Sequence, residues 1–494
     1  MSNEKLVNTV LSCRLGSVVA PAGCGKTDCI VDVVKAASGT GKCLVLTHTL
    51  AGVDSLRERM KEKQVNLRQV DLETIAGWSL RFAAAFPQRS GLVVREPRGQ
   101  EWSAVYGAAA QLIQGGFITN VLKASYQRVL VDEYQDCTVE QHALISALSK
   151  HLPTCIFGDH LQAIFGFRDE ELVNWKTVAV DFPRIGTLSE PWRWRRVRND
   201  KLGRWLIGIR DQLEKSNRVN LATAPVCVSR IAPQSASPKD VLKANISAGR
   251  HLNIKGSETL IVIGDKASEL VRGSLASKLR CSAIEPVACQ SLRDFLDAIQ
   301  VCAGKNRLSL VLKLAANTMT GVKRTALERR VVRRFEGWSP RKTPTELELA
   351  ALDVLASDDL LHVFRLLECL RRQPGVTAFR RELLSALRNT LKLVINGEQP
   401  SLEEAAWHVQ NKMRHAGRRL AQRSVGSTLL VKGMQFDHAV IVAPETLSRN
   451  DLYVALTRAS RTITIVSATP LLTAKLKRAA KNGKKQSSGV PTNL

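Results

Sequence analysis

Tyrosine is scarce in this 494-residue chain: only 4 occur, and aromatic residues reach just 5% of the total. No window approaches the roughly 18 uninterrupted apolar residues that a membrane-crossing helix needs, so a helical membrane protein is excluded. The 11 cysteines include no C-x-x-C pair and no neighbouring histidine cluster. A disulfide framework and a zinc site are therefore not indicated, and reduced thiols in a cytoplasmic protein are expected. The opening MSNEKLVNTVLSCRLGSVVA holds an apolar stretch that Asn8 and Thr9 interrupt, too short for a secretory core, and no targeting signal is read. Acidic residues are also few, 45 against 72 lysines and arginines, and none follows Asp451. The resulting net charge of +27 attracts polyanions by counterion release, which makes nucleic acid the leading partner.

What is present is enough apolar sequence, 44%, to build roughly three or four compact units. Short β-rich runs alternate with helical segments: GSVVA ending at Ala20, CLVLT ending at Thr47, RVLVD ending at Asp132 and TCIFGD ending at Asp159. A second set comprises TLIVIG at 259–264, STLLVKG at 427–433, HAVIVA at 438–443 and TITIVSA at 462–468. Alternation of this kind predicts two α/β units with parallel sheets and crossover helices. From about 283 to 425 leucine-rich helical periodicity dominates, as in LLHVFRLLECLRR, and predicts a helical insertion within the second unit. Between Ala303 and Phe335 only Glu328 is acidic, against basic residues that include Lys323, Arg324, Arg329, Arg330, Arg333 and Arg334, so a nucleic-acid track is expected there. The division read from the sequence is a first unit at 1–185 with a small insertion at about 79–125, a second unit at 186–282 and 426–470, the basic helical insertion at 283–425, and a flexible basic tail at 471–494.

Two motifs carry chemistry on their own residues. In APAGCGKTD, Ala20 to Asp28, a glycine loop lies between a strand and a helical run, with Ala20 in the first glycine position of the G-x-x-x-x-G-K-T pattern. The backbone from Ala22 through Gly23, Cys24 and Gly25 can approach a phosphate, Lys26 reaches the outer phosphates, and the Thr27 hydroxyl can bind Mg²⁺. The expected ligand is a nucleoside triphosphate with Mg²⁺. In VLVDEYQD, Asp132 at the strand end is the second expected metal ligand, and Glu133 beside it is placed to deprotonate an attacking water. Cys24, between the two glycines, is expected to have a thiol that the helix N-terminus makes reactive when the site is empty.

The order A-x-A-G-x-G-K-T, L-T-x-T, D-E-x-Q-D, G-D-x-x-Q-x-I-F resembles the UvrD/Rep family of superfamily 1 helicases. LSEPWRW (Leu188 to Trp194), STLLVKGMQFD (Ser427 to Asp437) and LYVALTRA (Leu452 to Ala459) resemble its later motifs. The resemblance implies two RecA-like P-loop domains with helical insertions. It implies that Gln162 senses the γ-phosphate and that Arg193 and Arg458 reach it from the second unit. Thr47, His48, Phe165, Phe167 and Arg168 fall where the family holds a single strand, the phenylalanines by stacking on its bases. Trp192 falls where relatives stack a tyrosine on the nucleotide base, and Gln435 replaces the glutamate that relatives direct at the ribose.

The chain also departs from the pattern. The base-reading glutamine expected upstream of the P-loop is missing, since the first glutamine is Gln64, and the arginine that often follows the P-loop threonine is Asp28. Loose base selection, resting on Trp192, is the expected consequence. The implied activity is an ATP-dependent translocase or helicase on single-stranded DNA or single/double-strand junctions, with 3′ to 5′ polarity. A reading from a different class is a DNA-sensing ATPase subunit that licenses a partner nuclease, as in phage-defence systems of the Gabija type; RNA as the track also stays open.

Overall fold

The computed structural model describes residues 3–37, 41–164, 171–250, 252–264, 268–338, 341–415 and 420–475. The chain builds two six-stranded parallel sheets. The first consists of β1 (Leu15–Val19), β2 (Lys42–Thr47), β3 (Val70–Thr74), β4 (Tyr126–Val131), β5 (Thr154–Gly158) and β6 (Arg184–Thr187) in the order β3-β2-β4-β5-β1-β6. Its inner strands are near-continuous apolar runs because helices cover both faces, as parallel sheets require. Leu44, Val45, Leu46, Val129, Leu130 and Ile156 are fully buried.

The strand order decides where a ligand can sit. From β1 the chain crosses over β5 and β4 to reach β2, so the loop after β1 opens at a switch point on the carboxyl edge of the sheet, where parallel sheets hold ligands. The loops after β2, β4, β5 and β6 emerge at the same edge. Every motif of the first unit lies on one of these loops.

In the second sheet the strands run Ser282–Ala283, Arg423–Gly426, Leu260–Ile263, Phe436–Ile441, Ala459–Val466 and Val228–Ile231, with all neighbours parallel. Both sheets are thus α/β, as the alternation predicted, an arrangement consistent with the expected pair of RecA-like domains. One strand differs from the sequence reading. The run 427–433 is not a strand: Arg423–Gly426 pairs with Leu260–Ile263, and Thr428–Val431 forms a helical turn. The Ser427 hydroxyl caps that turn by accepting from the Leu430 N–H, and the Thr428 hydroxyl donates to the buried Asp451 carboxylate at 2.7 Å. A cap of this kind outweighs the β propensity of the following residues.

Among the described residues between Gln290 and His415 lie seven helices around a core that includes Ile299, Leu308, Val311, Val354, Val363 and Leu387. Arg380 joins this helical part to the second sheet. Its guanidinium is 1% exposed and hydrogen-bonds Glu285 (2.7 Å), Glu269 (3.1 Å) and the Ser291 hydroxyl (3.2 Å). The basic run forms a helix, Arg324–Phe335, with Leu327 and Val331 buried and Arg329 and Arg333 exposed. Arg330 and Arg324 are paired there with Glu348 and Glu328. Among the described residues, no helix is long and apolar enough to cross a membrane.

Candidate nucleotide site and its coupling loop

Two left-handed glycines shape the loop after β1. Gly23 has φ of +72° and Gly25 of +86°, and a Cβ on either would come within 3 Å of Trp194 or Trp192. Gly25 precedes the helix Lys26–Ala36, whose first N–H groups face the loop and favour an anion. Lys26 Nζ lies 2.8 Å from Asp132 Oδ1 and also pairs with Glu133. Burial opposes the lysine charge, but the two carboxylates win and hold its pKa above the ordinary value. In return, against its own desolvation, Glu133 is held down at about 2 by the Lys26 and Lys432 ammonium groups. Glu133 therefore stays ionised at neutral pH. It occupies a left-handed backbone conformation, φ of +53°, and accepts a hydrogen bond from the Gln135 amide.

Gln135 in turn accepts from the Asp159 N–H at 2.9 Å, so the loops after β4 and β5 share one side chain. Asp159 pairs with the buried Arg210 and accepts from the Gln162 amide at 3.1 Å. The second unit grips this same loop. Asn450 donates to the carbonyls of His160 and Ala163, both at 2.9 Å, and Lys432 donates to the Gln162 carbonyl at 2.7 Å while pairing with Asp136. Phe165, Phe167 and Arg168, the strand-binding candidates on this loop, lie outside the described residues.

Arg193 and Arg458 approach the P-loop from the second unit's side. Arg193 accepts no partner charge: its N–H bonds the Gly23 carbonyl at 3.1 Å, and its guanidinium bonds the Thr457 carbonyl at 2.6 Å. Arg458 is 1% exposed and bonds only neutral groups, the carbonyls of Val454 (2.9 Å) and Met434 (3.0 Å) and the Thr457 hydroxyl (2.9 Å). Among the described residues neither guanidinium has an ion pair. Burial, and for Arg458 also the charge of Arg193, lowers both pKa values. Arg458, buried, and Arg193, half-buried, thus carry a desolvation cost without a paired anion, which an entering anion would relieve.

These groups line one cavity of 480 Å³, bounded by Gly23, Lys26, Thr27, Glu133, Gln162 and Arg458, with Trp192, Arg193 and Gln435 also on its wall. Trp192 is 44% exposed beside Gly25. A second cavity of 560 Å³ lies on the other side of Glu133 and is lined by Thr27, Thr47, His48, Asp132, Asp136 and Lys432. Thr27 and Asp132 border the same space and offer a hydroxyl and a carboxylate, the hard oxygen donors that suit Mg²⁺. His48 has Nε2 3.5 Å from the Cys137 thiol, and burial, with Lys432 and Lys26 nearby, lowers its pKa to about 4 despite the Glu133 charge.

Cys24 departs from the expectation of a reactive thiol. It is 1% exposed in the core cluster behind the loop with Ala20, Cys29 and Ile30, and burial raises its pKa to about 12. The side chain points away from the cavity, so the helix N-terminus acts on the backbone at Cys24 rather than on its sulfur.

Sequence reasoning missed Gln135, Arg210, Lys432, Asn450 and Tyr453. The Tyr453 hydroxyl accepts from the Ala22 N–H at 3.3 Å and closes the cradle from the second unit. Gln135 and Lys432 do stand inside quoted motifs, and their polarity next to Asp136 and Gly433 was the available signal. Arg210 and Asn450 bear no local pattern, because their partners are more than fifty residues away.

Residues 100–183 match the UvrD/REP helicase N-terminal domain. The ATP-dependent DNA helicase PcrA of Staphylococcus epidermidis is 32% identical over 75 residues, which is 15% of this chain and 10% of that one. The PcrA helicase of Staphylococcus aureus is 36% identical over 64 residues, 13% of this chain and 9% of that one. These matches make part of the first unit similar to UvrD/Rep helicases, and the chain spans only about a tenth of the length of the curated relatives it matches. A solved arterivirus nonstructural protein 10 (helicase) with DNA covers 94% of this chain and 63% of its own, at a TM-score of 0.35 and 10% identity.

Proposed function

We propose that this chain is an ATP-dependent translocase or helicase acting on single-stranded DNA or on single/double-strand junctions, moving 3′ to 5′. The observation that supports this most is the pair of anion-free guanidiniums, Arg193 and Arg458, facing Lys26 across one cavity. A triphosphate on the loop Ala22–Thr27 is what that geometry accommodates. Thr27 and Asp132 would hold Mg²⁺, which supplies charge for the β- and γ-phosphates. Glu133, kept ionised by Lys26, accepts the proton of the attacking water, and Gln162 orients groups at the γ-phosphate. Arg193 and Arg458 stabilise charge on the transferred phosphoryl group.

Movement follows from the loop Asp159–Ile164. It carries Gln162 at the nucleotide, is gripped by Lys432 and Asn450, and leads directly into the stretch with Phe165 and Phe167. Closing the cleft on ATP therefore pulls on the segment proposed to stack on bases, together with His48 and Thr47. The test is an ATPase assay with single-stranded DNA, RNA and duplex, beside a strand-displacement assay. Stimulation by single-stranded DNA with ATP-dependent displacement is expected. Stimulation by RNA alone, or by no polynucleotide, would refute the DNA track.

A further inference from the structure

The nucleotide cavity continues beyond the phosphate cradle to an outer wall that includes Ser55, Glu58, Arg59, Trp192, Arg196 and Val197. A nucleotide with its phosphates on the P-loop has to lay its base toward that wall. Trp192 supplies an exposed flat ring there. Arg196 stands one helical turn on, its N–H bonded to the Trp192 carbonyl at 3.1 Å, so the two side chains share a face. Arg195 lies 5.6 Å from the Trp192 ring centroid.

Arg196 is also anchored. Its Nη2 lies 3.2 Å from Asp28, the residue that follows the P-loop threonine, and Asp28 further accepts from Arg59 at 2.7 Å and pairs with Lys63 at 3.1 Å. One carboxylate thus gathers three cations, of which Arg59 also pairs with Glu62 and Lys63 with Asp32, which leaves Asp28 as the anchor of Arg196. The Arg196 side chain remains 59% exposed, with most of its five donors unspent. A guanidinium offers donors only. Guanine presents two acceptors, N7 and O6, on one edge, whereas adenine replaces O6 with an amino donor that such a group cannot satisfy.

We propose that Arg196, anchored by Asp28, reads the N7 and O6 edge of a guanine base stacked on Trp192, so that this site takes GTP at least as readily as ATP. The proposal rests on the nucleotide reading of the cleft and adds the identity of the base. The competing groups on the same wall are Glu58 and Glu62, exposed carboxylates that would accept from the amino group of adenine, and of these Glu62 is already paired with Arg59.

The experiment is competition of unlabelled GTP and ATP, with Mg²⁺, against a fluorescent nucleotide on the full chain, in wild type, Arg196→Ala, Asp28→Asn and Glu58→Gln, each checked by thermal melting. Wild type should bind GTP as tightly as ATP or more so. Arg196→Ala should weaken GTP roughly tenfold and ATP much less, and Asp28→Asn should shift the ratio the same way by a smaller factor. Tighter binding of ATP by wild type, equal weakening of both nucleotides by Arg196→Ala, or a loss confined to ATP in Glu58→Gln would overturn the base assignment while leaving the nucleotide site standing. Failure of wild type to bind either nucleotide would overturn the cleft reading itself.

Discussion

The Lys432 ammonium of the second unit sits between the Asp136 carboxylate and the Gln162 carbonyl oxygen of the first, 2.7 Å from the latter. Both charged side chains are 6% exposed. Desolvation outweighs their attraction enough to push Asp136 up to about 7 and to lower Lys432. The pair is therefore weak evidence for stability in itself, but severing it would strand a buried charge.

Lys432→Ala should lower stability by about 3 kcal/mol and reduce the stimulation of hydrolysis by single-stranded DNA more than basal hydrolysis. Adding Asp136→Asn should recover part of the stability, because the stranded carboxylate is then gone. A double variant no more stable than Lys432→Ala in denaturant unfolding would show that the pairing is not what Lys432 contributes.

Glu133→Gln and Arg458→Ala separate two roles. Glu133→Gln keeps the amide contact geometry and should still bind nucleotide, with hydrolysis down by about 10² to 10⁴. Arg458→Ala should slow hydrolysis by about 10³ or more while preserving strand affinity. Single-turnover hydrolysis beside nucleotide and DNA binding distinguishes the outcomes. Wild-type turnover by Glu133→Gln would remove that residue from the role of base.

His48 gives a pH signature. Its folded pKa near 4 is below the unfolded value of 6.5, so the unfolded chain binds more protons between these limits. Stability from this site is fully present above about pH 6.5 and is lost as pH falls toward 4. Desolvation of the charged imidazole, with Lys432 and Lys26 beside it and only Glu133 opposing, is the physical cost. His48→Gln should flatten this part of the profile by about 1 to 3 kcal/mol; melting curves from pH 4 to 7.5 that overlay those of wild type would refute the assignment.

Cys24 should resist labelling. A maleimide reagent should leave Cys24 unmodified in the folded protein, and loss of hydrolysis on labelling should be the same in Cys24→Ser as in wild type. Peptide mapping that finds Cys24 among the first thiols labelled would contradict its burial in the core.

The parallel sheets and the motif-bearing loops were legible because a buried strand announces itself by an apolar run and a phosphate loop by its glycines. GSVVA, RVLVD and TCIFGD each became β1, β4 and β5 with little shift. The strands Val70–Thr74, Arg184–Thr187 and Val228–Ile231 were not legible, since they sit nearer the sheet edges, only partly buried, and carry polar residues such as Glu73, Arg184 and Arg230. The Cys24 thiol was misjudged for a related reason: a residue between two glycines is near the anion through its backbone, and only packing reveals which way its side chain turns. Contacts between units, such as Asn450 on the coupling loop, depend on how distant segments meet and leave no periodic trace.

Arg380 gives the molecule a stiff shoulder. Because its guanidinium is locked among Glu269, Glu285 and Ser291, the seven helices beyond it are rigged to the second sheet like a boom to a mast. At the far end the helix Leu402–His415 meets the helix Leu50–Glu62 of the first unit, and Arg98 of that unit's insertion rests 5.4 Å from the ring of Trp407, an exposed cation–π contact worth about 0.5–1 kcal/mol. Any rotation of one sheet against the other would carry the helical arm with the second sheet and would part the exposed Arg98 and Trp407 pair, not the buried joint at Arg380.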